Sequence, residues 1–128
     1  MSLVFGYAAG SSPGSAAGMR VHDDGRVELL EPGADWRPIA VMTADEVGEL
    51  AERTRAAGIP ELPGEVPRPQ NMHGGSDCEL WTDLDGHSVH SVIHGWSEMN
   101  EAAQPSLELV LTMSGLVSAA QIRGDQPS

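Results

Sequence analysis

Lysine is absent from this sequence. All seven basic residues are arginine, set against nineteen acidic residues for a net charge of −12. That field repels phosphate backbones and anionic lipid, so nucleic acid and membrane surfaces are excluded as expected partners. Cysteine is nearly absent too. A single residue, Cys78, excludes an intrachain disulfide and any multi-cysteine metal site, and it fits a reducing compartment. No apolar run approaches the roughly 20 residues of a membrane span. The opening Met1 to Ala9 has no basic start and too short an apolar run for a signal peptide, so a cytoplasmic location is expected. Aromatics are few: Phe5, Tyr7, Trp36, Trp81 and Trp96. The core must therefore be built from Leu, Val, Ile, Met and Ala.

At 128 residues and 40% hydrophobic content, the chain bounds one domain, expected over residues 1–122 with a flexible tail over 123–128. The Gly/Ser-rich stretch Gly10 to Gly18 lacks a P-loop lysine and a following helix pattern. No G-x-G-x-x-G is present, so the stretch reads as a connection rather than a phosphate cradle. Arg123-Gly124-Asp125 in the tail reads as a chance tripeptide.

Residues 3–9 form a short strand pattern, followed by a hairpin around Asp23-Asp24-Gly25. A three-residue loop there sets Val21 opposite Val27, Met19 opposite Leu29 and Arg20 opposite Glu28. This gathers apolar side chains on one face and matches charges on the other, which a two-residue turn does not. Glu31 to Trp36 is a turn and 37–42 another strand. Thr43-Ala44-Asp45-Glu46 is a capping box opening a helix over about 43–57, with Val47, Leu50, Ala51 and Thr54 on one face. From Ile59 to Gly75 prolines and glycines exclude any long regular element.

Asp77–Leu84 and His87–His94 flank Asp85-Gly86, the preferred two-residue hairpin turn. In that register Thr82 faces Val89, Leu80 faces Ser91 and Cys78 faces Ile93. These residues share the apolar face with Leu84 and His87. The opposite face pairs Asp83 with Ser88, Trp81 with His90, Glu79 with Val92, and Asp77 with His94. A final helix over about 105–121 carries two apolar stripes, which places it centrally or against another chain. The expected fold is α+β: an antiparallel sheet of about five to six strands packed against two helices.

His87-x-x-His90-x-x-x-His94 has helical chelating spacing. On a strand, His90 and His94 lie about 13 Å apart at about 3.3 Å per residue, and His87 points to the other face. Metal–nitrogen bonds of about 2.0–2.1 Å do not bridge that span. The one cross-strand metal candidate joins Asp77 and His94 to His73, although an exposed charge pair is the plainer reading. Cys78 reads as a small buried hydrophobe, and no nucleophile elbow is present, so no catalytic residue and no cofactor is expected. Trp81 opposite His90, with His94 and Trp96 nearby, forms the expected contact surface. An aromatic on that face needs cover, from the 59–75 segment or from a protein or small-molecule partner.

Gly18-Met19-Arg20-Val21-His22-Asp23-Asp24-Gly25, Thr43-Ala44-Asp45-Glu46-Val47-Gly48-Glu49-Leu50 and Asp83-Leu84-Asp85-Gly86 together resemble the layout of a family of small bacterial domains of unknown function. The resemblance implies an α+β fold and transfers no catalytic residue. The functional expectation is a non-enzymatic binding or protein-interaction module, homodimeric through helix 105–121. The alternative is a metal-binding protein or small hydrolase-like enzyme using Asp77, His94 and His73.

Overall fold

The computed structural model describes residues 2–10, 16–72 and 76–125. Among these described residues seven strands form one sheet in the order β4-β3-β2-β1-β6-β7-β5. They are β1 (Leu3–Gly10), β2 (Ala17–His22), β3 (Arg26–Leu30), β4 (Arg37–Val41), β5 (Glu65–Val66), β6 (Ser76–Thr82) and β7 (Val89–Trp96). The helices are α1 (Ala44–Ala56) and α2 (Gln104–Asp125). The fold is α+β as expected, with a seven-stranded sheet that is mixed rather than wholly antiparallel. The two-residue β5 runs parallel to β7, pairing Glu65 with Val92 and Val66 with Ile93. With the single 3-10 turn Ile59–Glu61, it is a short element of the kind the proline-punctuated segment allows.

Both hairpin registers follow the alternation of the sequence. Val21 pairs with Val27, Arg20 with Glu28 and Met19 with Leu29 across β2 and β3. Gly25 closes that loop in the left-handed region at φ 95°. Across β6 and β7, Cys78 pairs with Ile93, Leu80 with Ser91 and Thr82 with Val89. Asp85 (φ 59°) and Gly86 (φ 75°) form the turn, and the His87 N–H donates to the Leu84 carbonyl at 3.0 Å. Two left-handed residues in succession twist the chain as the flanking strands require.

One face of the sheet is buried under both helices. Phe5, Val21, Val27, Leu80 and Ile93 meet Leu50 of α1 and Leu109, Met113 and Val117 of α2 in a single core. The capping box opens α1 as expected: Thr43 accepts from the Glu46 N–H at 3.2 Å, and Glu46 accepts from the Thr43 N–H at 2.8 Å. Arg55 grips Asp85 with two 2.9 Å hydrogen bonds, tying α1 to the tip of the second hairpin.

α2 continues to Asp125, and Arg123 is held by Glu46 at 2.7 Å and by the Val41 carbonyl at 3.1 Å. Residues 126–128 lie outside the described residues, as do residues 11–15 of the Gly/Ser-rich connection. Among the described residues no helix is long and apolar enough to cross a membrane.

Candidate functional site

Strand pairing lines up one row of residues across the face that the helices leave open. His90 of β7 pairs with Trp81 of β6, Trp81 with Gly6 of β1, Gly6 with Arg20 of β2, and Arg20 with Glu28 of β3. Side chains alternate along a strand, so all of these project away from the core. Gly6 is the low point of the row. A Cβ there would stand 2.9 Å from the Arg20 Cβ and 3.6 Å from the Trp81 ring. Its absence lets large neighbours close over the sheet.

Aromatic stacking organises the row. Trp81 and His90 lie parallel, with ring centroids 5.5 Å apart and planes 6° from one another. Trp36 meets Trp81 edge-on at 6.5 Å. The Arg20 guanidinium sits over the Trp36 ring at 4.3 Å, a cation–π contact. Cover for Trp81 was expected from residues 59–75 or from a partner. Within the chain it comes from Trp36, at the end of the β3–β4 connection.

Arg20 also donates to Glu28 at 2.9 Å, and His22 makes a short contact with the same carboxylate oxygen. These two hydrogen bonds, His22 first, hold the Glu28 carboxyl below its ordinary range. Toward β5 the open face becomes a ladder of histidines and carboxylates. His90 lies 3.4 Å from Glu79. His94 lies 3.3 Å from Asp77 and 3.5 Å from Glu65, and Arg68 approaches Asp77 at 3.6 Å. At the hairpin end Asp83 accepts from the Leu3 N–H at 2.9 Å and from Ser88 at 2.7 Å, and both contacts lower its pKa.

Of the expected contact residues, Trp81, His90 and His94 share this face. Trp96 does not. The β6–β7 register slips by one residue between Cys78–Ile93 and Ser76–Trp96, where Gly95 turns through φ 70°. This bulge re-aims the strand. Trp96 points to the core side, 5.9 Å from Tyr7, and its indole N–H donates to Ser106 of α2 at 2.9 Å.

Asp77 and His94 come together as expected, and His73 lies outside the described residues. Among the described residues no group of three or more His, Cys, Asp or Glu side chains is placed to hold a metal. His87 is exposed at the hairpin tip, away from the other histidines of its spacing. Cys78 is fully buried, and desolvation pushes its thiol up to about 12. A thiol so protonated is a poor nucleophile at neutral pH. Trp36, Arg20, Glu28 and Glu79 were missed as parts of the surface. The signal for them was Gly6, an isolated glycine inside a strand pattern, which marks a close approach.

The face therefore offers a stacked aromatic and imidazole platform, flanked by Glu79, Asp77 and Glu65 on one side and closed by Trp36 and Arg20 on the other. Its ring surfaces can stack and its carboxylates can accept hydrogen bonds. No protein-family model matches the chain, and no curated protein sequence matches it.

Proposed function

We propose that the chain is a non-enzymatic binding or protein-interaction module whose contact surface is the helix-free face of its sheet. The observation that carries this reading is the Trp81–His90 stack on the face that α1 and α2 leave open, with centroids 5.5 Å apart. Aromatic area combined with a polar tip is what contact surfaces concentrate, because it supplies apolar contact at little conformational cost. The three motifs quoted above support membership of the family of small bacterial domains. The lone, buried Cys78 supports a cytoplasmic setting. Self-association through the terminal helix is proposed with this reading, because α2 leaves Leu111 and Ile122 exposed.

Photo-crosslinking tests the surface directly. A crosslinking side chain replacing Val92, which faces outward beside Glu79, is expected to give a discrete adduct in the producing cells. The same group replacing Glu52 on α1 should give none. Adducts at both positions, or at neither, would count against the reading.

The 3.3 Å contact of Asp77 with His94 favours a second reading, a metal-binding protein or small hydrolase-like enzyme using that pair and His73. Calorimetric titration of zinc into the wild type and His94→Ala decides it. Heat that disappears with the mutation supports a metal role, and heat insensitive to it removes that role.

A further inference from the structure

The arginines of the chain are placed unevenly around its sheet. All seven lie among the described residues. Five hold carboxylates of the same chain at 2.6–3.1 Å, as Arg20 holds Glu28 and Arg55 holds Asp85. On the β6–β7–β5 part of the open face the carboxylates are met differently. Asp77 has Arg68 at 3.6 Å. Among the described residues, Glu79 and Glu65 pair instead with His90 and His94, at 3.4 and 3.5 Å. A neutral imidazole can hydrogen-bond a carboxylate without cancelling its charge. Both side chains are open to solvent, Glu79 at 51% and Glu65 at 77% exposure.

Strand pairing sets these two carboxylates in one row. Val92 of β7 pairs with Glu79 of β6 on one side and with Glu65 of β5 on the other. Glu79 and Glu65 thus flank a half-buried valine, two strand spacings or about 10 Å apart along the row. One guanidinium does not span that distance. Alternate residues of an extended chain share a face about 7 Å apart, and flexible side chains cover the remainder. The neighbouring row holds the Trp81–His90 stack, whose imidazole is exposed. Elsewhere on the same face, Arg20 lies over the Trp36 ring at 4.3 Å and donates to Glu28 at 2.9 Å. Glu79 beside the Trp81–His90 stack repeats that pairing of ring and carboxylate.

We infer that this part of the open face binds an extended, arginine-bearing segment of a partner protein. Two of its guanidinium groups meet Glu79 and Glu65, and their aliphatic stems lie over Val92 and the exposed ring of His90. Charge complementarity selects a basic partner, since the chain as a whole carries a net charge of −12. Geometry selects arginine over lysine, because a planar guanidinium stacks on a ring and presents a fork to a carboxylate at once. The inference rests on the reading of the open face as a contact surface, and it names what that surface takes.

Calorimetric titration with a short capped peptide of alternating arginine and glycine tests it, at slightly alkaline pH where imidazoles carry no charge. The wild type is expected to bind saturably. Glu65→Gln/Glu79→Gln, altered at exposed positions, should weaken binding by about fivefold or more. Glu49→Gln/Glu52→Gln removes the same charge from the exposed side of α1 and should change it by about twofold at most. The peptide with lysine in place of arginine should bind more weakly. Absence of saturable binding overturns the inference. Equal losses in the two double variants would reduce it to attraction by net charge and overturn it as well. A lysine peptide that binds as tightly would overturn the stacked guanidinium. Arginine amide binding as tightly as the peptide would make this a small-molecule site and overturn the extended segment. Adducts at Val92 without peptide binding would leave the contact surface standing and overturn its arginine preference alone, so the two failures are distinguishable.

Discussion

Trp96 donates its indole N–H to the Ser106 hydroxyl at 2.9 Å, and Ser106 in turn donates to the Ala103 carbonyl at 2.7 Å. This relay fixes the end of β7 to the start of α2 and separates Trp96 from the tryptophan of the open face. Ser106 is 1% exposed, so its loss leaves the half-buried Trp96 N–H without its partner. Ser106→Ala is expected to cost about 1–3 kcal/mol in denaturant unfolding. The buried Ser91 hydroxyl, by contrast, has no hydrogen-bond partner among the described residues. Ser91→Ala is expected to be neutral or stabilising, and a loss as large as that of Ser106→Ala would contradict the two environments.

Two glycines separate packing from propensity. A Cβ at Gly18 would stand 1.8 Å from the Tyr7 carbonyl oxygen, a main-chain atom of the paired strand that has no room to yield. Gly18→Ala is expected to destabilise by about 3 kcal/mol or more, because β1 and β2 must part. A Cβ at Gly115, inside α2, would meet nothing within 4 Å. Gly115→Ala should stabilise by about 1 kcal/mol through helix propensity alone. Thermal melts of the two variants should move in opposite directions.

Acid should weaken the fold through specific carboxylates. Glu28 and Glu46 titrate below their ordinary 4.5, and Asp83 below its ordinary 3.8. Hydrogen bonds dominate each shift: His22 and then Arg20 on Glu28, Arg123 and then the Thr43 N–H on Glu46, and the Leu3 N–H on Asp83. A carboxylate depressed in the folded state contributes its stability fully above the unfolded pKa and loses it as pH falls through the folded value. These three groups contribute little pH dependence well above 4.5, and stability should decline as pH drops below that range. In Glu28→Gln the decline should be shallower. A slope unchanged by that substitution would show that Glu28 gains nothing from His22 and Arg20.

Much of the sheet was legible because two independent alternations agreed at each hairpin. Asp85-Gly86 supplies two left-handed positions, and the apolar sets Cys78, Leu80, Thr82 and Val89, Ser91, Ile93 fall on one face only in that register. The capping box at Thr43 was equally readable, since its chemistry is local. What escaped was non-local or hidden in single residues. Gly95 carries the bulge that turns Trp96 inward, and periodicity alone extrapolates straight through it. The reach of Trp36 over the sheet depends on the path of a turn, and β5 is two residues of pairing inside a segment rich in proline. The edge position of β4 follows from strand order, which local pattern does not encode.

The claim on which the function depends is that contact occurs on the helix-free face around Trp81 and His90. Amide chemical-shift mapping against a library of small aromatic, cationic and peptide fragments tests it most directly. Shifts from bound fragments are expected to cluster at Glu79, Trp81, His90, Val92 and His94, and to vanish in Trp81→Ala while its backbone spectrum stays folded. Shifts that cluster on α1 or α2 instead, or that persist unchanged in Trp81→Ala, would contradict it.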